Sequence, residues 1–273
     1  MAHTPAVTTV LQLTDTHLFA SPGQALLGIK PWLSLQAVLQ HILDTGVRAQ
    51  HVLATGDLTQ DGHADAYEHF LQALAQLPWP LHGLPGNHDQ PDRLQARLQA
   101  AATPVVDCGA WRLVLLDSHA PGTEGGHLAP AQLALLRQAA QVRDGRHVLV
   151  AMHHHPVPMG CAWLDTMRID NAAELFQALD TLPAVRALVW GHVHQAHDSL
   201  LDRPGGRAPL RLLSTPSTCF QFLPHSPHFA LDTQMPGYRL IHLHPDGRLD
   251  TDLIRIPALP PAAGVPQLHS AGY

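Results

Sequence analysis

Five short polar clusters in the sequence contain the residue types that bind transition metals. Each cluster follows a run of apolar residues that is typical of a β-strand. Imidazole nitrogens together with carboxylate and amide oxygens favour Mn, Fe or Zn over Ca²⁺, so the clusters predict transition-metal chemistry. In chain order they are "TDTH" with Asp15 and His17, "GDLTQDGH" with Asp57, "GNHD" with Asn87 and His88, "HHHP" with His153 to His155, and "GHVH" with His192 and His194.

The spacing within two clusters suggests that their side chains converge. Asp15 and His17 are two residues apart, and so are His192 and His194. We expect extended backbone at both pairs, because each follows a predicted strand. In extended backbone the side chains of residues i and i+2 point to the same side. Each pair then reaches toward one centre or toward two neighbouring centres. Glycine before a cluster allows a sharp turn and a close approach of the backbone. The glycines in question are Gly56, Gly86 and Gly191.

The number of ligand candidates predicts two metals. A catalytic zinc takes three protein ligands and a water, and this chain offers more. Two metals roughly 3.5–4 Å apart that share a carboxylate use such a set. Each cluster alone is typical of a turn, a helix cap or an exposed loop, but five in order favour one site. The candidates are Asp15, His17, Asp57, Asn87, one of the three histidines at 153 to 155, His192 and His194.

The elements between the clusters predict an α/β fold. Strand-like runs alternate with helical ones up to Trp190, which indicates a mostly parallel sheet with its site at the carboxyl ends of the strands. After Arg211 three strand-like runs follow without helices, which predicts a second sheet or an antiparallel extension. We expect one domain over residues 1–256 and a proline-bearing tail over residues 257–273. The predicted strands are Val7–Leu13, 51–55, 80–86, Trp111–Asp117, His147–Met152 and Val185–Trp190, and the later helices are Pro130–Arg143 and Asn171–Thr181.

Composition narrows the function classes. The chain of 273 residues carries a formal net charge of −6, which disfavours a general nucleic-acid binder. Its three cysteines are far apart and form no C-x-x-C pair, so we expect no disulfide framework. The sequence shows neither a signal peptide nor an apolar run long enough to span a membrane. We therefore expect a cytoplasmic protein that has no membrane partner.

The ordered motifs D-x-H, GD, GNHD, H-x-P and GHxH, from Asp15 to His194, resemble the signature of the calcineurin-like metallophosphoesterases. The segments "HHHPVPMGCAWLD", "TPSTCFQF" and the terminal "GY" extend the resemblance to the bacterial class III cyclic nucleotide phosphodiesterases. This resemblance implies a four-layer αββα sandwich of two β-sheets flanked by helices. It also implies hydrolysis of 3′,5′-cyclic AMP to 5′-AMP at a dinuclear centre that contains Fe or Mn, with Zn as a further option.

The resemblance also implies a role for each site residue. In the H-x-P motif the ligand lies two residues before the proline, which selects His154, while His153 ends the strand and His155 is a neighbour. One metal is then held by Asp15, His17, Asp57 and His194, and the other by Asp57, Asn87, His154 and His192. The expected substrate contacts are His17, Asp57, Asn87, His88 and His194.

His88 is the implied catalytic residue. A bridging water attacks phosphorus in line, and His88 stabilises the phosphate and donates a proton to the leaving oxygen. The aromatic residues in the segment from Cys219 to Phe229 either cover the core or stack on a base.

Three alternatives remain beside cyclic AMP hydrolysis. A broader phosphodiesterase would act on cyclic GMP, 2′,3′-cyclic nucleotides or glycerophosphodiesters. A non-catalytic scaffold should have lost ligands or the equivalent of His88, and all of them are present. A nuclease is disfavoured by the acidic balance. The expected partner is the cyclic nucleotide, without nucleic acid, and a homodimer is left open.

Overall fold

The computed structural model describes residues 6–141 and 145–268. Arg143 and the terminal "GY" lie outside these ranges, so the end of the predicted helix Pro130–Arg143 and that motif are not described. The strands are β1 (Thr8–Leu13), β2 (His51–Thr55), β3 (Leu81–Leu84), β4 (Val105–Cys108), β5 (Trp111–Leu115), β6 (His147–Ala151), β7 (Val185–Trp190), β8 (His197–Leu201), β9 (Leu210–Ser214), β10 (Gln221–Phe222), β11 (Leu231–Asp232), β12 (Gly237–Leu243) and β13 (Leu249–Arg255). The α-helices are α1 (Pro31–Asp44), α2 (Ala64–Leu74), α3 (Pro91–Leu98), α4 (Pro130–Ala140) and α5 (Ala172–Asp180). Short 3₁₀ helices occur at Gln99–Ala102, Leu164–Met167, Pro204–Gly206 and Pro261–Ala263.

Eleven of the described strands form two mixed sheets, while β10 and β11 pair only with each other. The first has the order β13-β12-β1-β2-β3, and the second has the order β4-β5-β6-β7-β9-β8. In the first sheet β1, β2 and β3 are parallel, while β12 and β13 extend it in antiparallel fashion. In the second sheet β5, β6, β7 and β9 are parallel, with antiparallel strands at both edges. Of the late strands, β12 and β13 provide the antiparallel extension that the sequence predicts, whereas β9 joins the second sheet parallel to β7.

Alternation along the strands divides the core into layers. Val10 of β1 packs with Leu149 of β6 between the two sheets. The next residue of β1, Leu11, packs on the other face with α1 and α2. On the second sheet, Val148 and Val150 pack outward with α4 and α5. Because successive side chains point to opposite faces of a strand, each sheet buries both faces. The arrangement confirms the predicted αββα sandwich.

The carboxyl ends of five parallel strands position the polar clusters. The strands β1, β2 and β3 of one sheet and β6 and β7 of the other each end within four residues before a cluster. Backbone hydrogen bonds join the loops that follow them: Asp15 donates to the Gly56 carbonyl at 3.0 Å, and Gly191 donates to the His153 carbonyl at 3.1 Å. The clusters therefore meet where the two sheets face each other.

The described part of the expected tail packs against an early loop. The Lys30 amide donates to the Ala263 carbonyl at 2.8 Å, and the Gln267 amide donates to the Leu27 carbonyl at 2.9 Å. The division into a domain over residues 1–256 and a tail over 257–273 stays a prediction, and residues 269–273 lie outside the described ranges. Among the helices of the described ranges, none is both long and apolar enough to cross a membrane.

Candidate metal centre and active site

Five of the predicted ligand residues adopt left-handed backbone conformations. Such conformations are uncommon for residues other than glycine, and they cluster at functional sites where the surrounding structure enforces them. The extended geometry that we expected for the two i, i+2 pairs is therefore wrong. The pairs still converge, because left-handed turns coil the chain just after β1 and β7. The φ angles are 54° at Asp15, 47° at His17, 49° at Asp57, 65° at His192 and 47° at His194.

Two glycines allow the loops to approach each other, as the sequence predicts. A Cβ atom on Gly86 would lie 2.1 Å from Oδ1 of Asp57. A Cβ atom on Gly191 would lie 2.1 Å from Oγ1 of Thr14 and 2.7 Å from the Thr55 carbonyl oxygen. All three distances are far below van der Waals contact, so no larger residue fits at either position. The loops can only close around the site with glycine here.

The first group of donor atoms lies near Oδ2 of Asp57. Nε2 of His17 lies 3.1 Å from Nε2 of His194 and 3.9 Å from Oδ2 of Asp57. Nε2 of His194 lies 3.3 Å from Oδ1 of Asp15. All four residues are buried. These atoms form a compact set of two nitrogens and two carboxylate oxygens.

The protons of the two imidazoles in this group point outward. Nδ1 of His17 donates to Oε1 of Gln60 at 2.8 Å, and Nδ1 of His194 donates to the Phe220 carbonyl oxygen at 2.8 Å. A neutral imidazole with its proton on Nδ1 carries a lone pair on Nε2. Two lone pairs therefore face each other beside two carboxylates, an arrangement that a cation stabilises. Such outward hydrogen bonds are typical of metal-binding histidines.

The second group of donor atoms lies near the same carboxylate oxygen of Asp57. Nε2 of His153 is 3.3 Å from Oδ2 of Asp57 and 3.1 Å from Oδ1 of Asn87. Nδ1 of His192 is 3.0 Å from the same Asn87 oxygen. The amide nitrogen of Asn87 donates to Glu124 at 2.7 Å, which turns the amide oxygen toward the histidines. Nitrogen ligands bind zinc at about 2.0–2.1 Å, so two ligands of one ion lie about 3.0–3.4 Å apart, as these atoms do.

The three consecutive histidines point in different directions. Nδ1 of His153 donates to the Thr55 carbonyl at 2.8 Å, which leaves its Nε2 lone pair for the site. Nδ1 of His154 contacts Oγ of Ser118 at 2.8 Å, and its buried Nε2 has no hydrogen-bond partner in the described ranges. The ring of His155 stacks on His192 at 5.5 Å. The distances therefore favour His153, rather than the expected His154, beside Asp57 and Asn87.

Electrostatics in the site suit cation binding. Burial opposes ionisation of Asp57, but His153, His88 and His17 together outweigh it and hold the pKa of Asp57 well below its usual range. Burial lowers the pKa of His153 as well, yet Asp57 raises that pKa to about 9. Burial lowers the pKa of His17 to about 3 and lowers the pKa of His192. An ionised Asp57 beside neutral His17 and His192 is the protonation state that metal ligands require, whereas His153 gives up its proton when it binds a metal.

His88 lies at the edge of this centre and is half-buried. Its backbone N–H donates to Oδ1 of Asp57 at 3.0 Å. Its ring nitrogen Nδ1 lies 3.1 Å from the backbone carbonyl oxygen of Gln60 and 3.2 Å from the side-chain nitrogen Nε2 of the same residue. The ring centroid is 5.2 Å from that of His17. The side chain is thus held through Nδ1, and Nε2 is the atom that can contact a substrate.

Sequence reasoning missed Gln60. The same side-chain amide contacts Nδ1 of His17 through its oxygen and Nδ1 of His88 through its nitrogen. The available signal was its position in "GDLTQDG", three residues after Asp57.

Asp89, next to His88, has a different role. Its buried carboxylate accepts hydrogen bonds from the Tyr67 hydroxyl and from the backbone amides of Leu58, Thr59 and Gly86. These contacts hold the turn that carries Asn87 and His88.

Comparison with known proteins agrees with this architecture. Residues 8–196 match the family model for the calcineurin-like phosphoesterases. The chain is 44% identical over 255 residues to 3′,5′-cyclic adenosine monophosphate phosphodiesterase CpdA of Pseudomonas aeruginosa, covering 93% of this chain and 92% of that protein. It is 45% identical over 251 residues to the protein of the same name from Escherichia coli K12, covering 90% and 89%.

Solved structures show the same fold at low sequence identity. A dimetal phosphatase from Danio rerio superposes with a TM-score of 0.61 at 18% identity, covering 92% of this chain and 99% of that one. The purple acid phosphatase PPD1 from yellow lupin gives a TM-score of 0.58 at 13% identity, covering 92% and 54%. These similarities concern the fold alone. Together with the family match over most of the chain, they confirm the expected resemblance, and the chain belongs to the calcineurin-like phosphoesterase family.

Proposed function

We propose that the protein is a dinuclear-metal phosphodiesterase that hydrolyses 3′,5′-cyclic AMP to 5′-AMP. The observation that carries this proposal is the placement of Asp57 between two groups of buried nitrogen and oxygen donors. A shared carboxylate of this kind is used by two-metal hydrolases of phosphate esters. The names of the two bacterial relatives, each alike over about nine-tenths of both chains, support cyclic AMP as the substrate.

The proposed ligand sets follow the donor atoms. His153 takes the place that the motif count gives to His154, because only His153 has its Nε2 beside both Asp57 and Asn87 in the described ranges. Nitrogen and oxygen donors without thiolate suit Fe or Mn, with Zn as a further option. The first metal is assigned to Asp15, His17, Asp57 and His194, and the second to Asp57, Asn87, His153 and His192.

The chain's own residues then account for the remaining chemistry. When bound, two metal ions would polarise the phosphate and provide a hydroxide nucleophile near neutral pH. His88 is anchored through Nδ1 by Gln60, so its Nε2 contacts the phosphate and donates a proton to the leaving 3′-oxygen. Proton donation matters because a ribose alkoxide is a poor leaving group, and such general acid catalysis typically contributes about 10²–10⁴ in rate.

Substrate contacts are proposed for the residues that face the open side of the centre. Asn87, His88 and His192 line a cavity of about 250 Å³ next to the donor atoms. His17, Asp57 and His194 lie behind them at the proposed first metal, so they reach the phosphate through the metal centre. Cytoplasmic location and a homodimer stay predictions.

A turnover panel on metal-reconstituted protein tests the proposed function. The substrates are cyclic AMP, cyclic GMP, 2′,3′-cyclic AMP, a glycerophosphodiester, an aryl phosphodiester and an aryl phosphomonoester. We expect the highest kcat/KM for cyclic AMP. Comparable values on several diesters support the broader phosphodiesterase instead. Faster turnover of the monoester than of cyclic AMP contradicts both.

A further inference from the structure

The cavity beside the metal centre has two chemically different ends. Its polar end is formed by Asn87, His88 and His192, which belong to or adjoin the proposed metal ligands, and by Glu124, whose carboxylate accepts from the Asn87 side chain. Its other end is aromatic and contains Trp163, Phe222 and Phe229. A cavity that is mostly apolar with a few convergent polar groups is the usual form of a small-ligand site. The ligand should therefore combine an anion with a flat apolar group.

The aromatic end is built from two separate segments. Trp163 directly precedes the 3₁₀ helix Leu164–Met167, while Phe222 and Phe229 flank the turn between β10 and β11. The ring of Trp163 lies 4.9 Å from that of Phe222 and 5.2 Å from that of Phe229, both edge to face. Edge-to-face contacts of this kind hold the three rings in one cluster.

The three rings differ in burial, and core packing accounts for only one of them. Phe222 is only 2% exposed and stacks on His194 at 4.3 Å, so packing against the metal centre accounts for it. Trp163 and Phe229 are partly exposed and line the cavity. The indole nitrogen of Trp163 is buried and has no hydrogen-bond partner in the described ranges. A buried unpaired donor is costly, and a ligand acceptor would offset that cost.

We propose that Trp163 and Phe229 form a subsite that binds the base of the cyclic nucleotide. The inference rests on the proposed phosphodiesterase function and extends it to substrate recognition. With the phosphate at the polar end, the short ribose bridge carries the base toward the aromatic end of the same cavity. The expected contribution is stacking on the aromatic rings, which tolerates any flat base, so the subsite selects nucleotides over base-free phosphodiesters.

The test compares ligands with and without a base. For binding, the probes are 5′-AMP and ribose 5-phosphate; for turnover, they are cyclic AMP and the base-free ribose 3′,5′-cyclic phosphate. In the wild type we expect tighter binding of 5′-AMP and a lower KM for cyclic AMP. Trp163→Ala and Phe229→Ala should each weaken this preference by about 10-fold, as base stacking of this kind does, and leave the base-free ligands unchanged. Trp163→Phe should retain more of the preference, because it keeps a stacking ring.

Trp79→Ala is the matched control. Trp79 is also partly buried, but it lines a different cavity with Gly46 and Arg48. We expect the Trp79→Ala variant to prefer ligands with a base over base-free ligands as strongly as the wild type does. Equal losses on base-containing and base-free ligands in Trp163→Ala, or an unchanged preference, overturn the subsite. If the wild type fails to hydrolyse cyclic AMP, the proposed function fails, while the binding ratio of 5′-AMP to ribose 5-phosphate still decides the subsite.

Discussion

Nε2 of His153 lies 3.3 Å from Oδ2 of Asp57, although the motif count places the ligand one residue later. Alternation beyond β6 explains the difference. Leu149 and Ala151 face the layer between the sheets, whereas Val150 and Met152 face the outer helices. Continued alternation points His153 toward Asp57 and turns Nδ1 of His154 toward Ser118, with the His154 ring packed 4.8 Å from the ring of His192.

His153→Ala should therefore remove about one metal equivalent per chain and lower kcat at least about 100-fold, since loss of even an outer contact to a metal ligand costs 10–100-fold. His154→Ala is the matched control and should keep both metals. Elemental analysis of the purified variants measures the difference. Loss of metal in His154→Ala but not in His153→Ala would restore the motif count.

Asp57 should contribute to the binding of both metals. Wild-type protein should approach two transition-metal equivalents per chain, and Asp57→Ala should reduce the occupancy of both, because the carboxylate lies between the two donor groups. Asp61→Ala is the control, as this exposed residue lies in the same loop. A firm wild-type value of one equivalent, insensitive to added Mn or Fe, contradicts the dinuclear arrangement.

His88→Ala should separate catalysis from metal binding. The variant should keep both metals and lose about 10²–10⁴ in kcat on cyclic AMP, the range of a general acid. An aryl phosphodiester should lose less, because a phenolate leaves without a proton. The ratio of the two rate losses is the measurement. Equal losses on both substrates argue for charge stabilisation alone, and loss of a metal makes His88 a ligand.

Gln60 should act as a positioning residue for two histidines. Gln60→Ala removes the acceptor for His17 and the contact to His88, so we expect metal affinity at the first site to fall about 10–100-fold. Gln60→Glu keeps an acceptor for His17 and should restore most of that affinity. Titration with Mn monitored by calorimetry compares the variants. Equal affinity in Gln60→Ala and wild type contradicts the positioning role.

Gly86→Ala should destabilise the loop that carries Asn87. The added Cβ atom would lie 2.1 Å from Oδ1 of Asp57, so the backbone must shift. We expect the free energy of unfolding to fall by about 1–3 kcal/mol, as for other overpacked sites, together with weaker metal binding. Gly23→Ala is the control, since its Cβ meets nothing within 4 Å. Denaturant unfolding of metal-free protein measures both, and equal stability would show that the loop relaxes freely.

Much of the fold follows from local patterns that the sequence displays. Apolar runs predict β1, β2, β6 and β7. A polar cluster directly follows each of these runs in the sequence, so its place at the end of the strand is predicted as well. Four strands and one α-helix were not predicted, and two of these strands, β10 and β11, have only two residues each. β4 and β8 lie at sheet edges, where pairing with a neighbour replaces a continuous apolar run, and α3 has a polar sequence that is buried mainly at Leu94 and Leu98.

The sequence by itself determined which residue types meet at the site, because ligand chemistry and strand order are written in the motifs. Only the tertiary structure decided how they meet. Left-handed backbone at Asp15, His17 and Asp57 is enforced by loops from both sheets packing through glycine, which no local propensity favours. The choice among the three consecutive histidines depends on which face of β6 turns toward Asp57. That face is set by packing of one sheet against the other, a contact between residues about a hundred positions apart.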